Sequence, residues 1–416
     1  SWVKPNRPRS EEPKGPRRKR APEHNHGRHR ETPTQIIQHA LDRCPECNCR
    51  LRGQAIDYVR QVIELAPPPP VQIIEHQVIK RYCPRCRRWR SPKLHLEGQV
   101  LGQGRMGVGV ASQVAYLRNT LRLPIASIQR HLQTVHELSI SQGELVQLLH
   151  QVRREAQPRV DELKKQVRDS EIVHGDETGW RESGQNGYIW GFMTPGEEGI
   201  RYYEYDGSRG GAVAKRIMGE QFEGCLVTDY YAGYNDIACK HQRCWVHLLR
   251  DLHKLKEAHA QDLRVVKWAR AVRLLYDQAQ RWLEKNRDPT REEREKQYVR
   301  LVVRAHRLGL LYAQTKGHPC RALAKRLLRH EDELFQFVLV PGLSADNNLA
   351  ERGLRPLVVI RKISGGSRSE EGTKTRMALA SLFGTWQARG LNVLSECLKL
   401  LRKQTSSSSQ SPLPQV

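Results

Sequence analysis

The apolar residues of this chain change their spacing after Ser170. From Val108 to Lys165 they recur every three or four residues, the spacing of one helix face. Beyond Ser170 they fall into short runs suited to strands: EIVHGDETGW, GYIWGFMTP, GIRYYEYDG and, after a glycine-led helix GGAVAKRIMG, GCLVTDYYAGYN. Three consecutive strands, a helix and a further strand predict a mixed sheet. From about Leu248 to Pro341 long charged helices return with no strand signal. LSADNNLAERGLRP then opens another helix, with Ser344 or Asp346 able to cap it and Pro356 expected to interrupt it. A last amphipathic helix, TRMALASLFGTWQARGLNVLSECLKLL, precedes a Ser-rich tail. With 416 residues there is length for two or three domains, and a multidomain α/β protein is expected.

Two of those strand runs lead into an aspartate, Asp176 and Asp229. A carboxylate at a strand end is either a turn residue satisfied by backbone N–H groups or a ligand for something cationic. Two such strands can bring their carboxylates within reach of paired divalent ions, which sit roughly 3.5–4 Å apart in two-metal sites. Hard oxygen ligands of this kind suit Mg²⁺ or Mn²⁺. The candidate third acid is Glu351, on a helix with Asn347 at i−4, Asn348 at i−3 and Arg355 at i+4. That face carries one ligand and groups able to hold DNA phosphate; an incidental Glu–Arg pair on a surface helix has the same spacing. His174 alternates onto the strand face of Asp176, where a packed, hydrogen-bonded histidine is the plainer reading. Trp190, Trp245 and Trp386 are read as core aromatics.

Five of the ten cysteines lie in the first quarter of the chain: Cys44, Cys47, Cys49, Cys83 and Cys86. CPEC at 44–47 and YCPRC at 82–86 are two Cys-x-x-Cys pairs, each a knuckle able to give two thiolates to one tetrahedral Zn²⁺, with residues 48–82 as an intervening loop or hairpin. Cys49 is an extra thiol without a role. Arg85, Arg87 and Arg88 beside the second pair suit a phosphate backbone. A second cage could be drawn from Cys239, His241, Cys244 and His247, but those short spacings fit a tetrahedral site poorly.

Lys and Arg number 70 against 45 Asp and Glu, a formal charge of +25, and nucleic acid is the default partner for so large a surplus. No apolar run approaches the roughly 20 residues of a spanning helix, and no signal-peptide pattern is present, so a soluble, cytoplasmic protein without a membrane partner is expected. Seven segments follow: a disordered basic arm over 1–43, a zinc-binding domain over 44–95, a helical, helix-turn-helix-like segment over 96–169, a strand-rich segment over 170–250, a strandless helical segment over 251–340, a last helical segment over 341–403, and a disordered tail over 404–416. In the third segment Ser141 is a plausible N-cap with Glu144 three residues later, as in a capping box. Its shape is equally compatible with DNA reading and with packing or dimerisation.

HGDETGW, VTDYYAGYN, CWVHLLRDL and NNLAERGLRPLVVIRKISGGS resemble, in this order, the motifs of DDE transposases of the insertion sequence 66 family. The resemblance runs from the first Cys-x-x-Cys to about Leu401. It implies a ribonuclease H-like catalytic domain with Asp176, Asp229 and Glu351 as its acidic triad, a helical insertion between the second and third acids, and a zinc-binding domain ahead of the core. It also implies supporting places for Cys244 and His247, as the Cys-x-x-His after the second acid, and for Asn347 and Asn348. Two departures stand out: the chain begins at Ser1 without the family's coiled-coil segment, as expected of a partial or remodelled reading frame, and RKISGGSRSEEG matches only loosely.

The expected protein is therefore a bacterial, nucleoid-associated transposase that binds terminal inverted repeats and performs two-metal strand cleavage and transfer. Arg352, Arg355, Arg361 and Lys362 would position phosphates. Its partners would be double-stranded DNA at element ends and target, further copies of itself, and helper proteins from the same element. A non-catalytic, zinc-dependent DNA-binding relative, or a ribonuclease H-like nuclease, would carry much of the same pattern.

Overall fold

The computed structural model describes residues 30–402 apart from 66, 67 and 69; the expected arm up to residue 29 and the expected tail lie outside them. The chain divides into two units between residue 69 and Pro70. The first has no regular helix or strand among its described residues. Its one ordered turn is the first cysteine knuckle, where the Cys44 N–H donates to the Cys49 carbonyl and the Asn48 N–H to the Cys44 carbonyl, both at 2.9 Å.

The second unit opens with the hairpin β1 (Arg81–Cys83) and β2 (Arg88–Arg90), whose turn holds the second knuckle. Three helices follow, α1 (Val108–Asn119), α2 (Ile125–His136) and α3 (Gln142–Arg168). Ser141 caps α3 as expected, its Oγ accepting from the Glu144 N–H at 3.1 Å. The Glu144 carboxylate accepts from Arg105 across the surface, so only the serine half of the capping box is made.

The sheet is built from β3 (Ile172–Glu182), β4 (Gln185–Met193), β5 (Arg201–Asp206), β6 (Cys225–Thr228) and β7 (Lys240–Arg243), in the order β5-β4-β3-β6-β7. The first three strands pair antiparallel as a meander, and β6 and β7 add parallel to β3. Ser183 and Gly184, both at positive φ, make the two-residue turn that joins β3 to β4. Helix α4 (Gly211–Met218) carries the chain from β5 towards β6. β7, with the sequence KHQR, has no apolar run to announce it, and its Gln242 and Arg243 are nonetheless buried.

Helices α5 (Trp245–Ala258), α6 (Leu263–Lys285), α7 (Arg291–Ala313), α8 (Arg321–Arg329) and α9 (Gln336–Leu339) form the strandless stretch, around a core that includes Trp245, Leu252, Trp268, Val272 and Phe335 and reaches Cys225 and Val227 of β6. Helix α10 (Asn348–Ser364) then packs Leu354, Leu357 and Ile360 against Trp180, Ile189 and Met193 of β3 and β4. The opposite side of the sheet, with Trp190, Phe192 and Leu226, is covered by α1, α3, α4, α11 (Glu370–Ala388) and α12 (Val393–Arg402). The α1–α3 segment is thus tied into the main core through Val114, Ile128, Leu145 and Val152. Trp190 and Trp245 are fully buried, and Trp386 packs on Phe383.

Pro356 does not interrupt α10, which continues to Ser364. An interior proline costs about 3 kcal/mol through one lost backbone hydrogen bond and a ring clash. The three buried apolar residues that flank it each contribute roughly 1.5–3 kcal/mol, enough to hold the helix on the sheet.

Candidate active site

β3 carries Asp176 in its interior, since pairing with β4 continues to Glu182. What stops beside Asp176 is the parallel partner. β6 matches Ile172, Val173 and His174 of β3 with Cys225, Leu226 and Val227. Carrying that register two residues further sets Asp229 opposite Asp176. The Asp176 Oδ1 accepts from the Glu177 N–H at 2.9 Å, and the Asp229 Oδ1 from the Tyr231 N–H at 2.8 Å. Burial raises the Asp176 carboxyl to about 7, and the carboxylates of Glu177, Asp229 and Glu351 push the same way. Two acids distant in sequence, Asp229 and Glu351, thus act with the neighbouring Glu177 on one carboxyl.

Glu351 sits in the first turn of α10, its N–H donating to the Asn347 carbonyl. Its Oε1 is buried without a hydrogen-bond partner and lies 3.8 Å from the His247 Nε2. Asn347 anchors the helix start: its N–H donates to the Cys244 sulfur at 3.2 Å, its side-chain amide to the Gly175 carbonyl at 2.8 Å, and its Oδ1 stands 3.2 Å from the His174 Nδ1. Burial lowers the His174 ring to about 4, so it is a neutral, packed histidine. Asn348 begins the helix, its N–H donating to Asp346. The Cys244 N–H in turn donates to the Thr228 carbonyl, one residue before Asp229. Cys244 and Asn347 therefore join all three acid-bearing elements.

The four residues of the alternative zinc cage go different ways. Cys239 and His241 approach each other at 3.6 Å, with His241 against the Ile237 carbonyl, while Cys244 meets Asn347 and His247 faces Glu351. Among the described residues no three His, Cys, Asp or Glu side chains are already gathered into a metal-holding group. The donor set at Asp176, Asp229 and Glu351 nevertheless suits a hard divalent cation: oxygens only, like charges near enough for Asp229 and Glu351 to act on Asp176, and one buried carboxylate oxygen without a partner.

The basic residues are used unequally. Arg352, Arg355 and Lys362 are exposed on α10, free to meet a phosphate. Arg361 is engaged internally, donating to the Thr178 hydroxyl and the Gly179 carbonyl. Arg85, Arg87 and Arg88 are exposed on the β1–β2 hairpin. There the Cys86 N–H donates to the Cys83 sulfur at 3.4 Å, and this bond holds the Cys83 thiol below its usual value.

One network escaped sequence reading. Glu177, on the face of β3 opposite Asp176, accepts from Arg209 at 2.6 Å and from the Tyr234 hydroxyl at 2.6 Å. Arg209 also stacks over the Tyr231 ring at 4.1 Å, so the loop after Asp229 is fastened to β3 from behind. Nothing in the spacing of Glu177, Arg209 and Tyr234 signals that they meet.

The model of the IS66 transposase family matches residues 103–375, which takes in the sheet, the insertion and all three acids. The chain belongs to that family. Two Sinorhizobium fredii (strain NBRC 101917 / NGR234) proteins are also similar to this IS66 chain. The uncharacterized protein y4qI is 24% identical over 284 residues, 62% of this chain and 52% of its own length. The uncharacterized protein y4jO is 28% identical over 152 residues, 36% of this chain and 45% of its own. The chain thus spans about half the length of the curated relatives it matches.

Proposed function

We propose that this IS66-family chain is a DNA transposase of the DDE type, with a ribonuclease H-like core in which Asp176, Asp229 and Glu351 hold two Mg²⁺ or Mn²⁺ ions. The observation that supports the reading is the register of β3 and β6, which carried two residues past its last pair would set Asp229 beside Asp176, together with the effect of Glu351 on the same carboxyl. The mixed sheet, three antiparallel strands extended by two parallel ones, supports the same reading.

Bound there, paired divalent ions supply an activated oxygen nucleophile and stabilise the leaving oxygen of a phosphodiester. The protein's own part is to hold the three carboxylates in place, with Asn347 and Cys244 fixing the start of α10 against β3 and β6. Arg352, Arg355 and Lys362 would neutralise phosphates of a strand lying along α10. The reaction class is hydrolytic cutting at the element end, then attack of the freed 3′-OH on target DNA, with no covalent protein–DNA link.

The two Cys-x-x-Cys pairs would hold one structural Zn²⁺, and the arginines beside the second would contact DNA. Terminal-repeat recognition, assembly of several copies on DNA, helper proteins and a place at the bacterial nucleoid belong to the same proposal. Among the described residues no helix is long and apolar enough to cross a membrane.

The test is Mn²⁺-dependent cleavage of a labelled duplex carrying the element's terminal repeat, comparing wild type with Asp229→Ala. Cuts at the repeat boundary by wild type alone are expected. Binding without cleavage by either protein would favour a non-catalytic DNA-binding relative, and cutting by Asp229→Ala would remove the triad.

A further inference from the structure

β7 is an edge strand, and the helical insertion closes it. The Gln242 side chain donates to the Arg243 and Leu334 carbonyls and accepts from the Phe337 N–H, so residues 334–337 run along the strand. Beside it lies Arg243, only 1% exposed. A guanidinium taken so far from water must have its donors satisfied, and its partners come from two places. Its Nε donates to the Glu333 carboxylate at 2.5 Å, between α8 and α9 of the insertion, while the Arg243 N–H donates to the Glu333 carbonyl at 2.9 Å. Its other two nitrogens turn towards the acid-bearing strand. Nη1 donates to the Thr228 hydroxyl at 3.0 Å and to the Asp229 carbonyl at 3.1 Å, and Nη2 to Asn235 at 2.5 Å in the loop that follows.

We infer that Arg243 is a positioning residue that fixes Asp229 for cation binding and makes its placement depend on the helical insertion through Glu333. This rests on the proposed role of Asp229 as a cation ligand. The planar fork is what the arrangement needs: one rigid group spans the insertion, the end of β6 and the loop beyond it, as a lysine's single ammonium cannot. Glu333 is itself held from the far side by the His330 Nδ1 at 2.7 Å. The insertion is then a clamp on the second acid as well as a separate helical body. Groups that orient a ligand in this way change metal affinity about 10–100-fold when removed.

The experiment measures Mn²⁺ binding to the full chain without DNA, by the loss of the free-ion electron paramagnetic resonance signal. Arg243→Lys, Asn235→Ala and Val114→Ala are compared with wild type. Val114 is buried on α1, which packs on α3, α11 and α12, outside the core that Val272 of the insertion shares with Val227 and Leu334, so its variant loosens the fold without loosening the insertion. The expected result is Mn²⁺ binding weakened about tenfold or more in Arg243→Lys and Asn235→Ala and unchanged in Val114→Ala. If Arg243→Lys does not fold, Asn235→Ala decides. Wild-type affinity in Asn235→Ala and in folded Arg243→Lys, or equal weakening in Val114→Ala, overturns the inference and leaves the triad standing. A wild type that binds no Mn²⁺ overturns both.

Discussion

The side-chain amide of Asn347 donates to the carbonyl of Gly175 at 2.8 Å, one residue before Asp176. Asn347 is wholly buried and also contacts Cys244 and His174, so its side chain holds the helix of the third acid on the strand of the first while its N–H ties that helix to Cys244. Asn347→Ala is expected to leave the Gly175 carbonyl and the His174 ring buried without their partner, at a cost of about 1–3 kcal/mol each. Urea unfolding should read that loss, and cleavage should fall further than the remaining folded fraction accounts for. Cleavage that tracks the folded fraction would make Asn347 a core residue only.

Asp176 predicts a pH dependence. Its folded value of about 7 lies above the ordinary 3.8, so the folded protein holds this proton more tightly than the unfolded chain does. Stability of the cation-free protein should be highest below about pH 4 as far as this group is concerned, and should fall as pH rises towards 7. The full difference of about three units corresponds to roughly 4 kcal/mol. Asp176→Asn should remove that fall, unfolding at higher denaturant than wild type at pH 8, and should abolish cleavage. Parallel stability curves for the two proteins between pH 4 and 8 would contradict the assignment.

Gly366 holds the loop after α10 against the far end of β3. Its φ is +129°, and a Cβ there would lie 2.2 Å from the Arg181 carbonyl oxygen. Ser367 fills the remaining contacts, donating its N–H to Arg181 and accepting from the Trp180 indole. Gly366→Ala should cost at least the about 1–3 kcal/mol of a strained backbone, with Ser367→Ala milder. Thermal unfolding of the two variants, compared with wild type, checks the order.

The cysteine pairs predict one Zn²⁺ per chain, measured by metal analysis of the purified protein. Cys44→Ser and Cys83→Ser should each lose the ion and weaken binding to the terminal repeat. The Asp176 to Glu351 cluster should be untouched, so Mn²⁺ binding should persist in both variants. Zinc retained at full occupancy by both would separate the pairs from any metal role.

Local pattern determined a good part of this protein. The switch of apolar spacing at Ser170 marks where helices give way to the sheet, and the strandless charged stretch marks the insertion, because side-chain periodicity follows backbone geometry. Apolar runs leading into Asp176 and Asp229 were legible for the same reason, as was the Ser141 cap. The tertiary structure alone decided the rest. β7 is polar in sequence and is a strand through its parallel pairing with β6, while the insertion supplies partners for the buried Gln242 and Arg243. Pro356 is carried through α10 because the helix is packed on the sheet. Glu177 finds Arg209 and Tyr234, and Arg243 finds Glu333 and Asp229, across 32, 57, 90 and 14 residues of chain. Partners brought together by folding over such separations leave no periodic trace, since what selects them is the need of a buried charge for donors and acceptors wherever the chain can bring them.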